Sequence, residues 1–346
     1  MKKVGIIANP VSARDIRRII SHAGNLPIND RANIVLRMLT GLHSAGVEEV
    51  LIMPENGGIR TQLLRTISRE SASGAERFPS VKYLEMPVTC TSEDSAEAAR
   101  QMVENDVGAI VVLGGDGTNR VVVANSGNIP IAGVSTGTNN AFPELREPTI
   151  TGLAVGLAVT GKVPADYAFR FNKRIEVRVN EQREIALVDV AVVSERFIGA
   201  RAIWKTENFR DLFVTFGQPD GIGMSSLVGL MAPLDRQTPE GRHIKLLPKS
   251  DANKIISAPI APGLIEDVGL GNVEIMHPGE LYLPSVSAGS LALDGERELT
   301  FSEIDEVSIR LQTDAFRTID VPNCMAYAAK HRLLTSDPNI SFHAAQ

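Results

Sequence analysis

Cysteine is scarce in this chain: Cys90 and Cys324 are the only two in 346 residues. Two are too few for a disulfide framework, and neither belongs to a metal-ligand spacing, so a reducing cytoplasm is the expected setting. The six histidines, at 22, 43, 243, 277, 331 and 343, show no ligand spacing either; they read as surface or satisfied core residues. No uncharged apolar run is long enough to span a bilayer; the nearest, 221–234, is broken by glycine and proline. Met1-Lys2-Lys3 precedes only five apolar or small residues before Asn9-Pro10, too short for a signal peptide. Positive charge is in deficit as well. A net charge of −6 argues against a nucleic-acid binder that relies on counterion release. Neither a membrane nor a nucleic acid is expected as partner, and no repeat or low-complexity segment stands out.

Apolar residues make up 43% of the chain, which with 29 glycines fits a globular α/β or α+β enzyme with room for two cores. Strand patterns recur at 4–8, 50–53, 81–86, 109–113 and 129–134, separated by helical patterns. In one of these Asp30 is placed to cap a face made by Ile34, Val35, Met38, Leu39 and Leu42. Such alternation predicts a parallel sheet with helices on both faces. After Pro148 one more helical face (Ile150, Leu153, Ala154, Leu157, Ala158) closes at Gly161, and β-branched runs follow at 175–179, 185–193, 273–275 and 307–311. The expected fold class is therefore α/β: a parallel-sheet domain at 1–148 and a β-rich domain at 149–346.

The chemistry concentrates behind the apolar run at 108–112, in Leu113-Gly114-Gly115-Asp116-Gly117-Thr118. Glycines at a strand end let the backbone turn and bring bare N–H groups to a phosphate, with the Thr118 hydroxyl beside them. A carboxylate at that tip can orient a nucleophile or accept its proton. A structural turn capped by Asp116 is the plain alternative. A second loop, Ser135-Thr136-Gly137-Thr138-Asn139-Asn140-Ala141-Phe142, follows the next strand. Adjacent parallel strands would bring both loops to one sheet edge, with Gly137, Thr138, Asn139 and Asn140 offered to ribose or phosphate. Arg14, Arg17 and Arg18 could face a polyphosphate or simply form a solvated helix face. Two decoys are set aside. Residues 156–163 nearly spell a Walker A loop but lack the terminal hydroxyl and lie in a helical pattern. Residues 133–137 match Gly-x-Ser-x-Gly, yet Ser135 is expected to be a ligand-side loop residue and no nucleophile.

Gly-Gly-Asp-Gly-Thr resembles the signature of the superfamily of NAD kinases, diacylglycerol kinases and sphingosine kinases. Ile7-Ala8-Asn9-Pro10 with Ser12 is similar to the turn ending their first strand, and 135–142 to the second loop of the lipid-kinase branch. The opening Asn9-Pro10-Val11-Ser12-Ala13-Arg14-Asp15-Ile16-Arg17-Arg18 looks most like the ATP-NAD kinase-like AcoX family, although Ala13 stands where a glycine is usual. The resemblance implies two domains with ligands in the cleft between them, ATP and Mg²⁺ as cofactors, and a hydroxyl acceptor, NAD being the first to consider. It implies Asn9, Ser12 and both glycine loops at the nucleotide and Asp116 as the catalytic carboxylate. Asp294 and Glu296 of an Asp-Gly-Glu element would be linked to magnesium; a strand-end Asp-Gly is equally a hairpin signal. Authentic NAD kinases carry Gly-Thr-Leu-Gly-Phe in the second loop and an acceptor-side Asn-Glu pair. Here the latter aligns with Val188-Asp189, which leaves Asp189 as the acceptor contact and weighs against NAD itself. A nucleotide-binding accessory protein of acetoin catabolism without turnover is the competing expectation, a serine hydrolase a weaker one. Asp116, placed on a loop at the sheet edge, is expected to contribute little to folding. Partners are a nucleotide and a small-molecule acceptor, and a homo-oligomer is compatible with all of this.

Overall fold

The computed structural model describes residues 2–10, 26–74, 76–137, 140–195 and 207–335. Ser12, the Arg14/Arg17/Arg18 cluster, Thr138 and Asn139 lie outside the described residues.

Five short strands, β1 (Lys3–Ile7), β2 (Glu49–Ile52), β3 (Ser80–Tyr83), β4 (Ile110–Leu113) and β5 (Ile131–Val134), run parallel in the order β3-β2-β1-β4-β5. Alternate residues of these strands feed two cores. On one face Ile6, Val50, Val111 and Val134 pack with Val35, Met38 and Leu42 of helix α1 (Ile28–Ser44). On the other, Ile7, Leu51, Ile110 and Val112 pack with Ala98, Ala99 and Met102 of α3 (Glu93–Glu104) and with Val122 and Val123 of α4 (Asp116–Asn125). Helix α2 (Ile59–Ala72) lies between β2 and β3 in sequence. The capping expected of Asp30 is not made: α1 starts at Ile28 behind Pro27, and Asp30 falls within its first turn.

The first sheet does not stop at Pro148. Helix α5 (Pro148–Val159) packs against α1 so closely that a Cβ at Gly152 would overlap the Met38 carbonyl. After the short α6 (Ala165–Ala168), strands β6 (Phe169–Val179) and β7 (Gln182–Ala186) return to the same sheet. So does β15 (Val307–Ile319), giving eight strands that end β5-β15-β6-β7. The second sheet is antiparallel: β8 (Asp189–Val193), β9 (Phe209–Val214), β10 (Gly241–Leu247), β11 (Lys254–Ala261), β12 (Leu264–Met276), β13 (Gly289–Leu293) and β14 (Glu296–Phe301), ordered β11-β12-β10-β9-β8-β13-β14. Its inner face (Val190, Phe213, Leu291) packs on Ile175, Val177 and Ile309 of the first sheet, and α7 (Ser226–Met231) covers its outer face. Helix α8 (Val321–Lys330) closes the first core. Among the described residues no helix is long and apolar enough to cross a membrane.

The run expected as one strand over 185–193 is two. The chain leaves the first sheet after Ala186 and enters the second at Asp189. The amides freed at that crossover are taken by Asp294. Its carboxylate accepts from the N–H of Leu187 (3.0 Å), Val188 (2.8 Å) and Asp189 (3.3 Å).

A second buried carboxylate stabilises the antiparallel sheet. Asp211 Oδ1 lies 3.0 Å from His243 Nε2, and Oδ2 accepts from the Ser285 N–H (2.8 Å) and hydroxyl (2.7 Å). Burial alone would raise the Asp211 pKa, but the bonds from His243 and Ser285 outweigh it and hold the carboxyl below its ordinary 3.8. A carboxylate with a depressed folded-state pKa contributes stability above its unfolded value and loses it as pH falls through the folded value. Asp211→Asn is therefore expected to lower unfolding free energy by about 1.5–3 kcal/mol at neutral pH. That deficit should shrink below about pH 4. Urea melts of parent and variant from pH 7 to pH 3 check this; a deficit independent of pH would rule out the charge as its source.

Candidate functional site

Strand order reverses between β1 and β4, the position at which open α/β sheets bind ligands beyond the carboxyl ends of their strands. The ends of β1, β4 and β5 deliver Asn9, the 114–118 loop and the 135–142 loop to this edge. The two loops meet there as the adjacent parallel strands require, Gly114 N–H donating to the Val134 carbonyl at 3.2 Å.

The glycines of the first loop serve close approach more than unusual torsion, since Gly114, Gly115 and Gly117 are not among the glycines with positive φ. A Cβ on Gly114 would lie 2.6 Å from Thr118 Cβ, and one on Gly115 would lie 2.6 Å from Asn140 Oδ1. At Gly117 the nearest neighbour is the Glu296 carboxylate at 3.6 Å, an ordinary contact. Helix α4 starts at Asp116, and its first i to i−4 bond runs from Asn119 N–H to the Gly115 carbonyl (3.1 Å). The amides of Asp116, Gly117 and Thr118 thus form the open, electropositive end of the helix.

Asp116 is half-buried and ties the loops together. Its oxygens accept from the N–H of Ala141 (3.0 and 3.1 Å) and of Phe142 (2.8 Å). The expectation that it matters little to folding is corrected: two amides of the second loop depend on it. Within that loop Ser135 Oγ donates to the Gly137 carbonyl (3.0 Å) and accepts from Asn140 Nδ2 (2.8 Å). These bonds make Ser135 a loop-shaping residue, not a poised nucleophile. The near-Walker stretch is the end of α5, with Gly161 at φ +72°.

Asn9 does not offer its amide to a phosphate. It is buried, and both Nδ2 hydrogens are engaged, by the Thr91 carbonyl (2.8 Å) and Ser95 Oγ (3.1 Å). Its place at the strand end is as expected; its donors hold the start of α3. Asp294 and Gly295 form a two-residue turn between β13 and β14 with φ of 51° and 81°, so the hairpin reading of Asp-Gly applies. The Asp294 side chain is fully enclosed, with Arg120 Nε at 3.9 Å, and burial raises its pKa against the pull of Arg120 and the three amides. That environment does not suit a magnesium ligand, which needs open coordination positions for water and phosphate. Glu296, by contrast, lies beside Gly117 at the first loop. Among the described residues no group of three or more His, Cys, Asp and Glu side chains is arranged to hold a metal ion. Asp189 is buried and shares a narrow cleft with Asp116, Ala141, Ile222, Met224 and Asp294. Larger hollows of about 410 Å³ between α1 and α2, and of about 700 Å³ beside β6 and β15, touch neither loop.

Two arginines of the site carry no signal in the sequence. Arg120 on α4 reaches Glu298 of β14 (2.8 Å) as well as Asp294, clamping α4 to the second sheet. Arg236, between α7 and β10, donates to the carbonyls of Ala141 (3.0 Å) and Phe142 (2.8 Å). Each meets its partners from a sequence distance of nearly a hundred residues or more, beyond any motif.

The fold is thus a mixed α/β one, a parallel sheet with two strand-end loops backed by an antiparallel sheet. The family model for the ATP-NAD kinase N-terminal domain matches residues 4–161, and that for the acetoin catabolism protein X C-terminal domain matches 173–314. The chain is 48% identical over 340 residues to acetoin catabolism protein X of Cupriavidus necator, covering 97% of this chain and 94% of that protein. It belongs to the acetoin catabolism protein X family. Among solved structures, two of a provisionally assigned diacylglycerol kinase from Bacillus anthracis str. Sterne align over 92% of this chain. They cover 96% and 97% of their own chains, at 13% and 12% identity and TM-scores of 0.46 and 0.45.

Proposed function

We propose that this protein is an ATP-dependent small-molecule kinase, working in acetoin catabolism as its relative's name suggests, with the nucleotide-binding part at 1–148 and acceptor-side part at 149–346. The observation that carries this reading is the open amide end of α4, tied through Asp116 to the second loop; Asp116 also lines, with Asp189, a narrow cleft of about 20 Å³. Amides 116–118 and the Thr118 hydroxyl would hold phosphate oxygens. Magnesium, when bound with the nucleotide, supplies charge neutralisation of the phosphates, and Glu296, beside Gly117, would meet it. Transfer forms a bond from the acceptor oxygen to the γ-phosphorus, breaks the bond to the β-bridging oxygen and releases ADP. The acceptor proton passes to a cleft carboxylate. Asp116 is the catalytic residue of this proposal and Asp189 the acceptor contact.

A binding role without turnover is the second reading. It is favoured by one observation: both oxygens of Asp116 already accept amide hydrogens from the second loop. An assay of ADP release from MgATP separates the two, with NAD offered first and other hydroxyl-bearing metabolites after it. Acceptor-dependent ADP formation is the expected result. Tight nucleotide binding with no turnover across the panel would favour the accessory role.

A further inference from the structure

We propose that Arg236 is a positioning residue for the second loop and for Asp116, and that Lys173 anchors it; this rests on reading 114–118 and 135–142 as the nucleotide loops. The peptide units of Ala141 and Phe142 are gripped from both sides. Their N–H groups go to Asp116 of the first sheet's α4, and their carbonyls go to one nitrogen, Nη2, of Arg236 from the second sheet's side. The guanidinium lies over the rings of Phe216 (4.2 Å to the centroid) and Phe142 (5.1 Å), a planar fit that a lysine ammonium cannot reproduce.

The segment that presents Arg236 is itself fastened. Lys173, buried in β6 at the register shift within its pairing with β15, donates from Nζ to the carbonyls of Asp235 (3.0 Å), Thr238 (2.6 Å) and Glu240 (2.7 Å). Three carbonyls on one ammonium fix a turn that has no regular secondary structure between α7 and β10. The connection therefore runs from the β6 core through Lys173 to the 235–240 turn, and through Arg236 to the Ala141 and Phe142 peptides. From there it reaches Asp116 and the amide end of α4. A site ordered in this way before its ligand arrives avoids the entropy of fixing the loop on binding. Relative movement of the two sheets would act on Asp116 through the same two peptides.

Amide hydrogen exchange on the full, ligand-free chain tests this without any activity. In Arg236→Met the amides of Ala141 and Phe142 should exchange roughly tenfold faster or more, the effect expected when hydrogen bonds to a charged group are lost. Amides of β1 and β2 should keep their parental rates. Arg236→Lys should recover less than half of that protection on a logarithmic scale, and Lys173→Met should reproduce the local loss. Should Arg236→Met fail to fold, Phe216→Leu, which removes the ring beneath the guanidinium, must give the same local pattern. ADP affinity should fall in the order of the exchange effects. In the Asp116→Asn, Arg236→Met pair the changes should be non-additive, because both act on the same two peptides. Parental protection at Ala141 and Phe142 in folded Arg236 and Phe216 variants would overturn the inference. Exchange decides it whether or not the parent binds ADP.

Discussion

Asp116→Asn is expected to lower acceptor-dependent turnover by at least about 10²-fold, within the 10²–10⁴ range that a positioned catalytic carboxylate supplies. The substitution keeps size and one acceptor oxygen. It removes the charge that faces the cleft and replaces an oxygen that now accepts from the Ala141 amide with a group able to point a donor at a donor. Nucleotide affinity should therefore fall together with kcat. Thermal stability should also drop by a few degrees, since hydrogen bonds to a charged group contribute about 1.5–3 kcal/mol each. The ADP-release assay with steady-state kinetics reads the first effects, and a melting curve the last. Parental kcat in the variant would move the catalytic role elsewhere. Asp189, in the same cleft, is then the next residue to replace; Asp294, enclosed by backbone amides, is not.

Asp294→Asn is expected to lower stability by about 1–3 kcal/mol, the cost of leaving buried donors without an acceptor, since burial already disfavours the charge itself. Asparagine tolerates the left-handed backbone at this position, where φ is 51°, so the side chain alone is tested. The loss leaves Arg120 facing an amide and removes an acceptor from the crossover at Leu187, Val188 and Asp189. Urea titration measures it. If Asp294 were instead a magnesium ligand, the variant would unfold at the parental midpoint and lose magnesium dependence alone.

The contrast between these two aspartates shows what the sequence could carry. Asp116 is legible because its glycine neighbours lie beside it in the chain and the strand before it is an unbroken apolar run. The parallel sheet, the meeting of the two loops and the disarmed Walker stretch are legible for the same local reason. The role of Asp294 is not local: its partners at 187–189 and Arg120 lie more than a hundred residues away, so an Asp-Gly-Glu string reads equally as ligand or hairpin. The break between β7 and β8 is hidden because Ile185-Ala186-Leu187-Val188 is apolar without interruption, and only the carboxylate that caps the freed amides explains it. The 148 boundary marks where helix–strand alternation ends. Pairing in space then carries β6, β7 and β15 back into the first sheet. Arg236 and Lys173 act through backbone carbonyls, which leave no trace in residue identity.

The central claim is that phosphate binds at the open end of α4, and Gly117→Leu tests it most directly. Gly115→Val would confound the result, because its side chain would strike Asn140 and disturb the loops themselves. At Gly117 the added Cβ meets only an ordinary contact with Glu296, and leucine is a better helix former than glycine, so the fold should persist. Isothermal titration of ADP with magnesium into parent and Gly117→Leu should show binding in the parent and at least about a tenfold loss in the folded variant, a difference of ~1.4 kcal/mol. Equal affinity in both proteins, or no binding by the parent, would contradict the account.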